Sequence, residues 1–352
     1  MKKIACILIC LCLLALTSCV PKQENDGIEG VKQNITDGIL ALDLENVRFS
    51  QGEIVATQAW SDEMERREGC FARFYTQELR QYSGPQVFAV AQDKTIYVYD
   101  TYNKLIKAFK DKKQVSQIDL KNTSFEAGVM QDMIWANNAL YAVEKTQAVV
   151  VKITDNTIET VEFDEPINEI ISVAVNPNGE VEAKALFSER KQATFYLKAD
   201  TEKGKEIFSR DRNEIIEEKQ TENRFALTKD AYEPKFVLER YDSNSELTNS
   251  LVLDFSATVL ANGMPLAEII GVDDENVYIK AEIYGTFIVK VNFSKNFAEA
   301  FRIPDKLFHK DDEYGRWYNG STIMMMQIAQ NGYCYRGYMD AEGTHIVCYK
   351  LN

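Results

Sequence analysis

A group of short strands recurs along the chain with a spacing of 44 residues, and this repeat limits the folds that the chain can adopt. Each copy contains a short strand, a polar turn, a second strand with an aromatic residue, another polar turn and a third apolar strand. The copy at 87–109 aligns without a gap with the next copy, which ends at Ile153, so that Ile96-Tyr97 lies over Leu140-Tyr141. Two copies in register indicate an internal repeat.

Four looser copies follow the same order of strands and turns, at 172–197, 224–255, 269–291 and 324–351. Each copy is a meander of about 40 to 55 residues, with too little apolar surface to be stable alone. Stacking such units around an axis buries both faces of every sheet. The sequence therefore predicts an all-β fold, a β-propeller built from three- to four-stranded antiparallel sheets.

Six blades are favoured, and seven are the alternative if residues 36–82 form a whole blade. Because the last copy has three predicted strands, we expect an N-terminal strand, either 38–44 or 52–59, to complete it and close the ring. Two β-sandwich domains in series are the rival architecture, but they do not account for the spacing of 44 residues.

The turn Asp100-Thr101-Tyr102-Asn103 precedes an apolar strand. In this feature the chain resembles the six-bladed propellers of the NHL and related superfamilies, over most of residues 84–352. The resemblance implies a closed ring of blades. The Trp-Asp ending of WD40 blades and the Ala-x-Asp-x-x-Thr-Gly signature of quinoprotein-type blades are both missing from the sequence.

The N-terminus has the layout of a secretory signal. Lys2 and Lys3 precede an apolar run from Ile4 to Leu16, and the small residues Thr17 and Ser18 precede Cys19. This pattern resembles a bacterial lipoprotein signal, which implies cleavage after Ser18 and a lipid on Cys19. An ordinary signal peptide that happens to contain a cysteine is the alternative.

Three segments are therefore predicted: a signal peptide at 1–18, the lipidated Cys19 with a flexible tether at 19–35, and a single propeller domain at 36–352. The predicted location is the cell envelope, on the extracytoplasmic side of a membrane that holds the protein through its N-terminal lipid.

Charge and composition exclude several classes of function. The formal charge is −14, and removal of Lys2 and Lys3 makes it more negative, so nucleic acid is not an expected partner. The chain has two histidines, no nucleophile elbow and no phosphate-binding glycine loop. We therefore expect neither a metal site nor a cofactor.

Cys334 and Cys348 lie on either side of a turn candidate at 340–343. A hairpin there can place them on facing strands, and a disulfide is permitted outside the cytoplasm. Whether they bond depends on the register, because a shift of one residue removes the contact.

The polar segment 309–320 is the best candidate for a functional loop, because long connections between strands often carry binding residues. His309 begins the segment. Arg316 can pair with a carboxylate or phosphate, and Trp317 and Tyr318 offer faces for stacking. A surface loop whose aromatic residues pack on neighbouring blades is the alternative.

The same segment contains Asp311, Asp312 and Glu313, which are weak candidates for catalytic carboxylates. Three consecutive acidic residues are more often solvated charge than a metal or catalytic site.

Three functions remain open. The leading hypothesis is non-catalytic binding of an envelope protein, a peptide or a glycan. The second is a propeller hydrolase or lyase that acts on carbohydrate or a lactone. The third is a scaffold for envelope assembly, which predicts large apolar patches on one rim.

Overall fold

The computed structural model describes residues 31–351 except 34, 46, 63–69, 77–80, 86, 122, 126–128, 155–156, 177–178, 189–190, 201–203, 211–219, 223–224, 243–245, 260–263, 274, 305–316, 319–325, 330–331 and 340–342. The predicted signal peptide and Cys19 lie outside the described residues.

Short strands account for most of the described chain. Six precede the repeats: β1 (Val31–Gln33), β2 (Ile35–Thr36), β3 (Ile39–Ala41), β4 (Gly52–Asp62), β5 (Phe71–Thr76) and β6 (Gln81–Ser83). Unit 1 contains β7 (Phe88–Val90), β8 (Ile96–Asp100), β9 (Leu105–Lys110) and β10 (Lys113–Asp119). Unit 2 contains β11 (Met130–Ala136), β12 (Ala139–Glu144), β13 (Val149–Ile153) and β14 (Ile158–Phe163). Unit 3 contains β15 (Glu169–Val175), β16 (Val181–Ser188), β17 (Lys191–Asp200) and β18 (Lys205–Ser209).

The second half of the chain continues the pattern. Unit 4 contains β19 (Gln220–Glu222), β20 (Phe225–Lys229), β21 (Lys235–Tyr241) and β22 (Leu247–Asp254), and is followed by the helical turn α1 (Ser256–Val259). Unit 5 contains β23 (Leu266–Val272), β24 (Val277–Glu282), β25 (Thr286–Asn292) and β26 (Phe297–Ile303). After β27 (Trp317–Tyr318) come β28 (Met326–Ile328), β29 (Tyr333–Met339) and β30 (Gly343–Lys350). These last three strands and β4 form unit 6, and neighbouring strands within it pair antiparallel.

The strand positions confirm the repeat of 44 residues, because β9 and β13 begin at Leu105 and Val149. In both units a buried acid ends the second strand and fixes the turn that follows. Asp100 accepts hydrogen bonds from the backbone and side-chain nitrogens of Asn103, as the Asp-x-x-Asn pattern suggests. Glu144 accepts backbone hydrogen bonds at the equivalent place in unit 2.

Buried apolar clusters join neighbouring units. One cluster each links units 1 and 2, units 2 and 3, units 4 and 5, units 5 and 6, and units 6 and 1. The cluster between units 6 and 1 brings Phe88 and Phe109 against Tyr335 and Ile346. Because the last unit packs on the first around a central cavity, the fold is a β-propeller. Within the described residues, no such cluster joins units 3 and 4.

Strand β4 completes unit 6. It pairs antiparallel with β30, with Gly343 opposite Ala59 and Cys348 opposite Glu53. The prediction that residues 52–59 close the ring is therefore confirmed. The alternative closing strand at 38–44 is wrong, because β3 instead pairs in parallel with β22 of unit 4.

The other N-terminal strands extend existing sheets. Strand β1 pairs with β26, β2 with β3, β5 with β4, and β6 with β5. The predicted tether at 19–35 therefore overlaps a strand at its C-terminal end. Residues 31–33 pair with the outer edge of β26, and the side-chain oxygen of Gln33 accepts a hydrogen bond from the backbone N–H of Asp43.

The cysteine pair does not form a disulfide. Cys334 lies opposite Tyr349, and Cys348 lies opposite Tyr335, so the register differs by one residue from the one that a bond needs. Consecutive residues of a strand point to opposite faces, and the two thiols accordingly lie in different apolar clusters. Both cysteines are free.

None of the helical segments in the described part of the chain is long and apolar enough to cross a bilayer.

Candidate functional site

The central channel of the propeller is the candidate site. It encloses a cavity of about 760 Å³, lined by the first strands of units 1, 2, 3, 5 and 6 and by parts of β16, β17 and β24. This volume is typical of pockets that bind small molecules. The lining combines aliphatic side chains with charged groups, amides and one indole.

Bulges shape the channel wall. The first strands of units 2, 3 and 5 each contain a register shift: between Met130 and Asp132, between Ile170 and Ser172, and between Ile269 and Gly271. A bulge bends its strand and redirects the next side chains. The shifts place Asp132, Ser172 and Gly271 in the lining.

Hydrogen bonds connect the first strands of different units. The side-chain nitrogen of Gln131 donates to the carbonyl of Ile171 at 3.3 Å. The backbone N–H of Val173 donates to Asp132 Oδ2 at 2.9 Å. From unit 6, the amide of Gln327 donates to the carbonyl of Met133 at 2.8 Å. These bonds hold the wall in one arrangement around the cavity.

Asp132 is an acid of the lining whose pKa is perturbed by burial. Burial raises the pKa of its carboxyl group to about 6, although two backbone N–H groups, those of Val173 and Met133, donate to it. Desolvation of the carboxylate therefore outweighs the hydrogen bonds that favour its charge. Asp132 can change its protonation state near neutral pH.

On the other side of the channel, Lys280 lies between two carboxylates. Its Nζ is 2.8 Å from Glu268 and 2.8 Å from Glu282. Burial alone lowers the pKa of Lys280, but its hydrogen bonds to the two glutamates raise it overall. Lys280 therefore stays charged, with its charge neutralised by groups of its own unit.

Unit 3 contributes the polar residues Ser172, Glu182, Lys184 and Gln192 to the lining. Ser172 lies directly opposite Lys184 in the β15–β16 ladder, so the two side chains share one face of the sheet. Glu182 is two residues from Lys184 on the same strand and therefore faces the same way.

Trp135 supplies the aromatic surface. Its ring stacks on that of Tyr97 from unit 1, with centroids 4.9 Å apart and planes 5° from parallel. The indole is half-buried and lines the cavity. A rigid, partly exposed aromatic ring in a channel is suited to stack against an apolar face of a ligand.

Of the loop residues predicted from the sequence, the structure describes Trp317 and Tyr318. His309, Asp311, Asp312, Glu313 and Arg316 lie outside the described residues, and their roles stay predictions. Trp317 and Tyr318 form β27, which pairs in parallel with β6. The strand order puts β27 at the opposite end of its sheet from β28, the strand that lines the channel.

Sequence reasoning missed Asp132, Trp135, Ser172 and Lys184, because each lies in or directly beside one of the recurring strands and stands out by no motif. One signal was present. In the 44-residue alignment Asp132 corresponds to the apolar Phe88, and a charge in the first strand of a blade is unusual for a packed position.

No protein-family model and no curated protein matches this sequence. Among solved structures, the periplasmic gluconolactonase of Pseudomonas aeruginosa is similar with a TM-score of 0.41 and 11% identity, over 86% of this chain and 100% of that one. A virginiamycin B lyase from Staphylococcus aureus has a TM-score of 0.39 and 11% identity, over 79% and 98%. A Bacteroides fragilis protein described as exported has a TM-score of 0.44 and 8% identity, over 89% and 98%. At these identities and scores, neither an activity nor a substrate carries over to this chain.

Proposed function

We propose that this chain is a lipid-anchored, extracytoplasmic β-propeller that binds a glycan, a peptide or a segment of an envelope protein in its central channel without turning it over. The observation that carries the proposal is the channel itself. Its cavity of about 760 Å³ offers an indole, several amides and charges of both signs to a ligand. Such a mixture of apolar surface and a few polar groups is typical of binding pockets.

Binding is favoured over catalysis because several charged groups of the lining already have structural roles. Both oxygens of Asp132 accept backbone hydrogen bonds. Glu268 is paired with Lys280. Groups held in this way fix the shape of the channel, and transferring a proton to a ligand would require them to give up these contacts.

Arrays of glycans and peptides test the proposal. The purified domain should bind a subset of the array, and Trp135→Ala should weaken that binding about tenfold or more because the stacking surface is lost. Tyr232→Ala is the matched control, since Tyr232 is an aromatic residue that is 94% exposed and not part of the channel lining. An array without any bound member, or equal binding by both variants, would contradict the proposal.

The anchor is tested separately. Mass spectrometry of the protein from a bacterial membrane fraction should find an N-terminal Cys19 that carries fatty acids, and Cys19→Ser should release the protein from the membrane. An unmodified Cys19, or a chain that begins elsewhere, would refute the anchor and leave the channel proposal untouched.

A hydrolase or lyase that acts on carbohydrate or a lactone is the second candidate, and the pKa of Asp132 favours it. A carboxyl group with a pKa of about 6 is suited to general acid or base catalysis near neutral pH. If this candidate holds, glycosides or lactones that bind the channel are converted, and Asp132→Asn abolishes turnover while binding persists. If bound ligands are recovered unchanged after long incubation, the protein acts by binding alone.

A further inference from the structure

Lys184 differs from the other cation of the channel lining. Lys280 is held between Glu268 and Glu282. Lys184 is half-buried, and in the described part of the chain no carboxylate forms an ion pair with it. An ammonium group that is partly removed from water is stabilised by an anionic partner. Among the described residues of the lining, Lys184 is therefore the positive charge that is available to a ligand.

On the same face of unit 3, which also carries Glu182, two neutral polar residues of the lining lie beside Lys184. Ser172 is its direct neighbour across the β15–β16 ladder. Gln192 is on β17 and lies opposite Leu186 of β16. Since Leu186 is two residues from Lys184, Gln192 is a diagonal neighbour of Lys184 on that face. All three residues line the cavity. A carboxylate accepts several hydrogen bonds, and an ammonium, a hydroxyl and an amide can supply them together.

The position of this face explains why the three side chains remain accessible. The opposite face of unit 3, with Ala183, Ala185 and Phe195, packs into the apolar cluster shared with unit 2. Because side chains alternate along a strand, Lys184 points away from that cluster. This face of unit 3 lines the cavity, and no apolar cluster joins units 3 and 4 within the described residues.

The aromatic surface lies farther along the channel. The backbone N–H of Val173 donates a hydrogen bond to Asp132, and this bond fixes the position of unit 3 along the channel relative to unit 2. Trp135 is three residues beyond Asp132 on β11, a distance of about 10 Å along a strand. This separation along the channel favours a ligand that is longer than a single sugar ring or a single amino acid.

The rest of the lining favours a sugar. Gln92, Gln192 and Gln327 bring amide side chains to the cavity, and amides both donate to and accept from hydroxyl groups. The indole of Trp135 offers a flat apolar face to the apolar side of a sugar ring. On the basis of the proposed channel binding, we infer that the ligand is an acidic oligosaccharide, with a carboxylate bound by Lys184, Ser172 and Gln192 and a sugar ring stacked on Trp135.

Calorimetry with matched ligands tests this assignment. The sugar probes are oligosaccharides that contain uronic acids, from oligogalacturonates to hyaluronan tetrasaccharides, and each is compared with its own methyl ester. Triglutamate is the acidic peptide probe. The wild-type protein should bind at least one acidic sugar about tenfold or more tightly than its ester, because a charge-assisted hydrogen bond is lost on esterification. Lys184→Gln should bind the acid and the ester equally. Lys198→Gln, an exposed lysine of the same unit, is the control and should retain the preference.

Each outcome is informative. Equal binding of acids and esters by the wild-type protein, or a preference that survives in Lys184→Gln, overturns the acidic-ligand assignment and leaves channel binding standing. Tight binding of triglutamate without binding of any sugar also overturns it, in favour of an acidic peptide. If neither the acidic probes, their esters nor a neutral glycan and peptide array binds, the proposed function itself fails.

Discussion

Replacing Asp132 with asparagine should change how the stability of the protein depends on pH. The carboxyl group is buried in the channel wall, and burial raises its pKa from 3.8 to about 6. The folded protein therefore holds this proton more tightly than the unfolded chain does. Between these two pKa values the folded state binds more protons, so protonation stabilises it as the pH falls.

The size of the effect follows from the two pKa values. At about pH 7.5 the group is ionised in both states and adds almost no pH dependence. At about pH 4.5 it is protonated in the folded protein and mostly ionised in the unfolded chain. Proton linkage then gives a relative gain of about 2 kcal/mol for the wild-type protein over the Asp132→Asn variant. The lost hydrogen bond to Val173 lowers the stability of the variant by an amount that does not depend on pH.

Urea unfolding, followed by tryptophan fluorescence at both pH values, measures the difference between the two proteins. Asp230→Asn is the control with the opposite sign. Backbone N–H groups of Tyr232 and Glu233 lower the pKa of Asp230, so the wild-type protein should lose stability relative to this variant as the pH falls. The reasoning from the buried carboxyl group is wrong if the stability of the wild-type protein relative to Asp132→Asn is the same at both pH values, or is higher at the higher pH.

Three further predictions concern the packing of the ring. Lys107→Met should lower the free energy of unfolding by about 3 kcal/mol in urea titrations, because Lys107 is buried 2.9 Å from Asp100. The double variant that also carries Asp100→Asn should recover part of this loss. Gly343→Ala should lower the melting temperature measured by circular dichroism, because its Cβ would lie 2.2 Å from a backbone oxygen of β4. Cys334 and Cys348 should both be alkylated after unfolding without reductant, which mass spectrometry detects, whereas a chain with two unlabelled cysteines would contain the disulfide.

The sequence predicts the local parts of this fold well. Strands and tight turns depend on residues close in the chain, and the Asn137-Asn138 pair illustrates this. Both residues adopt left-handed backbone conformations, which the two-residue turn between β11 and β12 requires. The closing strand was also predictable, because a last unit with three strands leaves an edge that another strand must cover.

Register and long-range placement were less accessible. From the sequence, Cys334 can lie opposite either Cys348 or Tyr349 in the β29–β30 pair. The register depends on which side chains are buried against units 1 and 5. Strand β1 was predicted as tether because its sequence is polar. Its stability comes from the backbone of β26, which lies far along the chain.

The candidate site was the hardest part to predict, since its residues come from separate blades. The contact between Asp132 and Val173 depends on how two neighbouring units pack, and the spacing within each unit does not report it. The long polar segment was more conspicuous in the sequence. Only β27 within that segment, at Trp317 and Tyr318, is described, and it lies away from the channel-lining strand.

The pairing of β4 with β30 has a consequence for the synthesis of the chain. Strand β4 leaves the ribosome long before β30 does, and until then one of its edges has no permanent partner. Exposed strand edges promote association between chains. Chains whose synthesis stops before Gly343 therefore present a free edge of β4, which can associate with other incomplete copies of the chain. Holding factors that cover β4 during synthesis should increase the yield of correctly assembled protein.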